Sequence, residues 1–216
     1  MAPRRIFVAG ANGATGRTLL TSAQPNTSDL VPHLRPDTAA RLGESAPSGA
    51  AVLDLGDAAA LRAALTNCTT VIQLIGTMRK RFAAGDTYAS SDIGTTRCLV
   101  EACRDSPVDH IVLLSSVGAG SPRGAYLKAK AEAEELVRNS GCAWTIFRPS
   151  AFVGGGHSMP WGSASLLRAV APKRYRPIDI EDLARTLLWV ARERNPLDAV
   201  LEGTSLWEAV NRSLPA

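Results

Sequence analysis

Apolar runs rich in β-branched residues alternate along this chain with stretches of helical period. That alternation predicts βαβ units and a parallel sheet. Arg5–Ala9 reads as the first strand, with a helix over Gly13–Thr21 after it. Leu30–Leu34 is the second strand, and Ala50–Leu53 the third, entered through Pro47-Ser48-Gly49. An Ala/Leu-rich helix covers Asp57–Leu65. The fourth strand, Thr70–Ile75, is almost wholly apolar, as a strand covered on both faces should be. A helix over Asp92–Arg104 leads to a fifth strand at His110–Leu114. Tyr126–Arg138, full of Ala, Leu, Lys and Glu and ended by Asn139-Ser140-Gly141, carries the strongest helical signal. Ala143–Phe147 is the sixth strand, stopped near Pro149.

Beyond Pro149 the texture changes. Gly154-Gly155-Gly156 and several prolines and serines predict loops, then a helix over Ile180–Glu193 and a short tail. No internal repeat and no long linker divides the 216 residues. The expected architecture is α/β, a Rossmann-type doubly wound parallel sheet. One domain is expected over residues 1–216, with residues from about 150 onward forming a small loop-rich cap on the substrate side.

The first turn carries the most chemistry. Arg4–Arg17 reads RRIFVAGANGATGR, a strand running into Gly10, Gly13 and Gly16 as a helix opens. A tight turn, close backbone approach to a pyrophosphate and close helix–strand packing all call for glycine there. The exposed amides and the helix dipole then hold the anion. Gly10, Asn12, Gly13, Ala14, Thr15, Gly16 and Arg17 are thus the expected dinucleotide cradle. The spacing is G-x-x-G-x-x-G, which points to the short-chain dehydrogenase branch of the fold. At the end of the second strand, His33-Leu34-Arg35 has arginine where an acid would take a ribose 2′-hydroxyl. Arg35, helped by Arg17, suits a 2′-phosphate, so NADP (NADPH) is expected over NAD. Asp54 and Leu55 fall where the adenine is lined. Ile75, Gly76 and Thr77 end the fourth strand, where a small residue lets the cofactor lie close.

A second constellation follows. Tyr126 and Lys130 stand four apart in YLKAK, on one helix face. An ammonium near the phenol favours phenolate and eases proton transfer near neutrality. Ser115-Ser116 ends the fifth strand, and the Ser116 hydroxyl there can hydrogen-bond a substrate carbonyl. Ser116, Tyr126 and Lys130 are the candidate catalytic set, and Lys130 can also hold the nicotinamide ribose. Glu134, four residues after Lys130, reads as its structural partner. His157, in the loop after three glycines, reads as an exposed residue. Trp144, Trp189 and Trp207 read as core, and Asp179 and Asp182 as helix-start residues.

Composition adjusts this picture little. Hydrophobic residues make up 45% and charged residues 20%, an ordinary globular balance, and the net charge is +4. Basic residues are scattered apart from Met78–Phe82, MRKRF, so no specific nucleic-acid partner is expected. A basic rim around a polyanionic cofactor accounts for the charge. No stretch reads as a targeting segment or a membrane span. Four cysteines without a C-x-x-C pair and three histidines make a metal site unexpected; free thiols in a cytoplasmic protein are the plain reading.

GANGATGR, LLSS, YLKAK and TIFRP occur in order. On these motifs the chain resembles the atypical short-chain dehydrogenase/reductase family, in the NAD(P)H-binding branch of NmrA-like proteins and Tat-interacting-protein oxidoreductases. Leu74–Gly85, LIGTMRKRFAAG, is similar to the segment after the fourth strand in the latter group. The similarity spans nearly the whole chain and thins after about Pro160. It implies dinucleotide binding at Gly10, Gly13, Gly16 and Arg35, and catalysis by Ser116, Tyr126 and Lys130. Many atypical members lack the tyrosine and only bind or sense the cofactor; this chain keeps it. Its C-terminal region is shorter than in members that bind nucleotide sugars, which argues against such a substrate.

Two functions follow as expectations. One is an NADPH-dependent reductase of a small carbonyl, quinone or similar acceptor, with a small molecule as its partner. The alternative is a non-catalytic NADP(H)-sensing module whose loops, including the basic run Arg79–Arg81, dock a protein partner. Substrate identity and oligomeric state are not legible in the sequence.

Overall fold

The computed structural model describes residues 4–76, 87–154 and 171–214. Strand β1 (Arg5–Ala9) shows how the core divides: Ile6 and Val8 face one layer, while Phe7 and Ala9 face the other. All four are fully buried, as period-2 alternation in a covered strand requires. The strands of the main sheet are β1, β2 (Leu30–Leu34), β3 (Ala51–Val52), β4 (Cys68–Gln73), β5 (His110–Leu114), β6 (Ala143–Phe147) and β9 (Ala199–Leu201). They lie in the order β3-β2-β1-β4-β5-β6-β9, and every pairing is parallel. The sequence order reverses between β1 and β4, the switch point at which open α/β sheets bind ligands.

Helix α1 (Ala14–Ser22) packs against α6 (Ile180–Glu193) on one face of the sheet, with α7 (Thr204–Arg212) beside α6. Leu183, Leu187 and Val190 of α6 are fully buried in that layer with Val112 and Phe147. The other face holds α3 (Ala58–Leu65), α4 (Thr95–Arg104) and α5 (Gly124–Arg138), whose Leu61, Leu99 and Val137 cover Val71 and Ile111. A short helix α2 (Pro36–Leu42) follows β2 and buries none of its residues. A second, two-stranded sheet joins β7 (Phe152–Val153) to β8 (Ile178–Asp179).

The Rossmann-type architecture is as expected, with differences of detail. The tail after residue 193 supplies a sheet strand, β9, and the amphipathic α7, so the sheet has seven strands rather than six. Strand β4 ends at Gln73, because the Gln73 side chain accepts the Ile75 amide at 3.2 Å and turns the backbone away. Tyr88–Gly94 forms a π-helical turn ahead of α4, capped by Thr87 and Ser90. Trp144, Trp189 and Trp207 sit half-buried at the edges of the two core layers rather than within them. Asp179 occupies the N-cap position of α6 without a side-chain capping bond, and Asp182 in the first turn pairs with Arg185 at 2.7 Å.

Among the described residues no helix is long and apolar enough to cross a membrane. Among them, too, no group of three or more His, Cys, Asp or Glu side chains is placed to hold a metal, and the four cysteines are free thiols.

Candidate cofactor and active site

The glycine turn explains its own composition. Gly10 has φ +90°, a left-handed conformation that side chains rarely adopt, and its carbonyl accepts the Gly13 amide at 3.0 Å. A Cβ on Gly16 would lie 2.3 Å from the Gly10 oxygen and 2.7 Å from Ala11 Cα. Only glycine lets α1 start this close to the strand. Gly13 is the extended N-cap residue and makes no side-chain capping bond. The first-turn amides of Ala14, Thr15 and Gly16 have no acceptor within their own helix, so this end is a ready anion cradle. Arg17, exposed on α1, donates to the Asn12 carbonyl at 2.7 Å.

The turn opens into a crevice of about 340 Å³ at the carboxyl ends of β1 to β4. Gly10, Asn12, Gly13, Arg35, Asp54, Leu55, Ile75 and Gly76 all line it, together with His33, Thr38 and the 90–95 turn. Among its described lining residues, Arg35 carries the only full positive charge. Asp54 accepts the Gly56 amide at 2.8 Å, which fixes the carboxylate just beyond β3. His33 is buried against Phe7 and its Nε2 lies 3.0 Å from the Leu53 carbonyl. Burial pushes its pKa down, so the ring is neutral, and the carbonyl requires the proton on Nε2. Thr77, His157 and Arg79–Arg81 lie outside the described residues.

At the Gly76 end stands a pair that sequence reading missed. Lys130 Nζ lies 2.9 Å from Asp92 Oδ1, with side-chain exposures of only 8% and 1%. It also donates to the Leu114 carbonyl at 3.3 Å. A Cβ on Gly76 would meet Lys130 Nζ at 2.9 Å and Asp92 Oδ1 at 3.0 Å, so glycine is what admits the pair beside the crevice wall. Lys130 Nζ is 6.0 Å from the Tyr126 ring centroid, and Tyr88 stacks obliquely on Tyr126 at 5.7 Å. The structure therefore brings Tyr126 and Lys130 together, with the ammonium matched by a buried carboxylate. Asp92 left no signal in the sequence because an acid near a helix start reads as a capping residue.

Ser116 follows β5 on a loop whose Gly118 rests on Leu127 of α5, and its hydroxyl lies 3.5 Å from the Val117 carbonyl. Its neighbour Ser115 is buried and donates to Glu134 at 2.6 Å. Glu134 does not pair with Lys130 as the spacing suggested. It takes a two-pronged bond from Arg148, at 2.8 and 2.5 Å, and a third from Arg138 at 3.2 Å. Burial opposes the Glu134 charge, but the bonds from Arg148, Ser115 and Arg138 together outweigh it and hold the carboxyl below its ordinary range.

Comparison with known proteins agrees with this geometry. Residues 10–193 match a family described as NAD(P)H-binding. No curated protein matches the sequence significantly. Among solved structures, an NAD-dependent epimerase/dehydratase from Bacillus halodurans, so described provisionally, is 20% identical with a TM-score of 0.71. That match covers 97% of this chain and 99% of the other. A short-chain dehydrogenase/reductase superfamily protein from Agrobacterium tumefaciens, with bound NAD, is 17% identical at TM-score 0.70, covering 93% and 77%. An NADPH-dependent quinone oxidoreductase from Escherichia coli, complexed with NADPH, is 19% identical at TM-score 0.66, covering 91% and 68%. These likenesses establish the shared fold. With its glycine cradle at the sheet's switch point, the chain belongs to the NAD(P)H-binding family and shares the Rossmann-type fold of these solved structures.

Proposed function

We propose that this protein is an NADPH-dependent reductase of a small carbonyl, quinone or similar acceptor. The observation that carries the reading is the continuity of the crevice. It runs from Arg35 at one rim to Gly76 at the other, where the Lys130–Asp92 pair and Tyr126 stand together. The cradle suits a pyrophosphate, because Gly10 and Gly13 line the crevice without side chains and the first-turn amides of α1 have no helical acceptors. Bound there, the cofactor supplies the hydride.

The chain's own residues supply the rest. Arg35 suits a 2′-phosphate and favours NADPH. Lys130 holds a ribose hydroxyl through its ammonium, kept in place by Asp92. Tyr126 gives its phenolic proton to the acceptor oxygen, and Ser116 hydrogen-bonds the same oxygen. The test is NADPH oxidation, followed at the nicotinamide absorbance, across aldehydes, ketones and quinones; the E. coli neighbour motivates the quinones. Tyr126→Phe is expected to slow turnover about a hundredfold or more. Turnover unchanged in that variant refutes the assignment.

The second reading, a non-catalytic NADP(H)-responsive module, is favoured by one feature: the Lys130 charge is already matched by Asp92. It expects tight NADPH binding with no consumption across the same panel.

A further inference from the structure

One ion network outside the crevice joins segments that are far apart in the chain. Arg148, at the end of β6, sends Nε and Nη2 to the buried Glu134 of α5 and Nη1 to Glu202 at 3.1 Å, just after β9. Glu202 in turn forms an ion pair with Arg174, whose Nε lies 2.5 Å from its Oε1. Ser115, one residue before Ser116, bonds the same Glu134. The guanidinium also lies against the far side of the Ser116 loop, since a Cβ on Gly120 would come 2.6 Å from Arg148 Nη1. The main chain repeats these links: Val117 donates to the Pro149 carbonyl at 2.9 Å and Arg148 to that of Leu201 at 2.9 Å.

Arg148 thus touches four things at once: α5, the Ser116 loop, β9 and, through Glu202, the turn at Lys173–Tyr175. That turn is the start of the segment leading into β8. It is held from its other side by Trp207, whose Nε1 donates to the Lys173 carbonyl at 3.0 Å, and Ser150 donates to the Arg176 carbonyl at 2.7 Å. A planar, two-pronged guanidinium between two carboxylates has one orientation, which lysine cannot reproduce.

We propose that Arg148 is a positioning residue that couples the 173–176 segment to the Ser116 loop, so that order in one is transmitted to the other. The coupling bears on catalysis through Ser116, and in that respect it rests on the reductase reading.

The experiment separates the two. Hydrogen–deuterium exchange is measured on the full chain, wild type and Glu202→Gln, with Arg148→Lys as a second variant. Glu202 touches no atom of the Ser116 loop in the bonds described, so loosening of that loop reports transmission through Arg148. Exchange at 117–121 is expected to rise about tenfold in Glu202→Gln, together with 173–176, as the charged contacts to Arg148 and Arg174 are weakened. Faster exchange at 173–176 with 117–121 unchanged overturns the coupling. Unchanged exchange at both overturns it as well.

Activity is then read with 9,10-phenanthrenequinone and NADPH. Arg148→Lys is expected to lower kcat about tenfold with KM for NADPH unchanged. A parallel rise in KM for NADPH with kcat preserved contradicts a positioning role toward Ser116. A wild-type protein that oxidises no NADPH with any acceptor refutes the reductase reading, and the exchange result still decides the coupling.

Discussion

Removing either member of the Lys130–Asp92 pair should cost far more than removing both. At 2.9 Å the two charges attract by about 6 kcal/mol if the effective dielectric constant is about 20. Taking each ion out of water costs several kcal/mol, so the intact pair contributes little net stability. Asp92→Ala, however, takes the matching carboxylate from the buried ammonium of Lys130, and Lys130→Met takes the ammonium from the buried Asp92 carboxylate. Each single substitution is therefore expected to destabilise by about 3–5 kcal/mol. For a chain of this size that is a fall in Tm of about 10 °C. The double variant, which leaves neither charge buried, should lose clearly less than either single, a coupling of at least about 3 kcal/mol. Urea unfolding of the four proteins at pH 7.5 measures it. Losses that add to within about 0.5 kcal/mol would refute the claim that the two groups form one buried pair.

Three further outcomes are expected. Gly16→Ala drives a Cβ into the backbone of Gly10 and Ala11, at 2.3 and 2.7 Å, where no side chain can give way. NADPH affinity should fall at least about tenfold, with a stability loss of about 1–3 kcal/mol; wild-type affinity by calorimetry would contradict the close-packed turn. His110 is fully buried beside Thr145, and burial, aided by Arg194, pushes its pKa down to about 4. Because the unfolded chain takes up the proton near pH 6.5 and the folded one does not, stability is complete above that pH and declines toward pH 4. The total is about 3 kcal/mol, and a flat urea midpoint between pH 7 and 4.5 would exclude it. Glu134, held below its ordinary range, should add a separate loss at pH below about 4.5; Glu134→Gln, compared with wild type in that lower range, should remove it.

Much of the fold was legible because the core strands obey simple rules. Strands β1, β2, β5 and β6 have the same limits in sequence and structure, since each is a short apolar run bounded by turn residues. Strand β9 was not legible: three residues, Ala199–Leu201, carry too little pattern, and their strand character comes from pairing with β6. Helix α2, anchored by Pro36, buries none of its residues and so has no buried face to produce a periodic signal.

The site divides in the same way. The glycine turn, Arg35 and the Tyr126–Lys130 spacing are local features, and local features can be read from a string. Asp92 and Glu134 depend on which distant residue approaches them. Lys130 is 38 positions from Asp92, and Arg148 is 14 from Glu134, separations that no helical period encodes. The i,i+4 rule pointed Glu134 at Lys130, but Arg148 offers a planar fork that a carboxylate prefers to a single ammonium.

The most direct test of the account is calorimetric titration of the protein with NADPH and with NADH, repeated on Arg35→Ala. NADPH is expected to bind more tightly than NADH, and the preference to shrink in Arg35→Ala, whose crevice rim has lost the cation suited to a 2′-phosphate. Binding of neither nucleotide would mean that the glycine turn serves packing alone, and the reductase reading would fall with it.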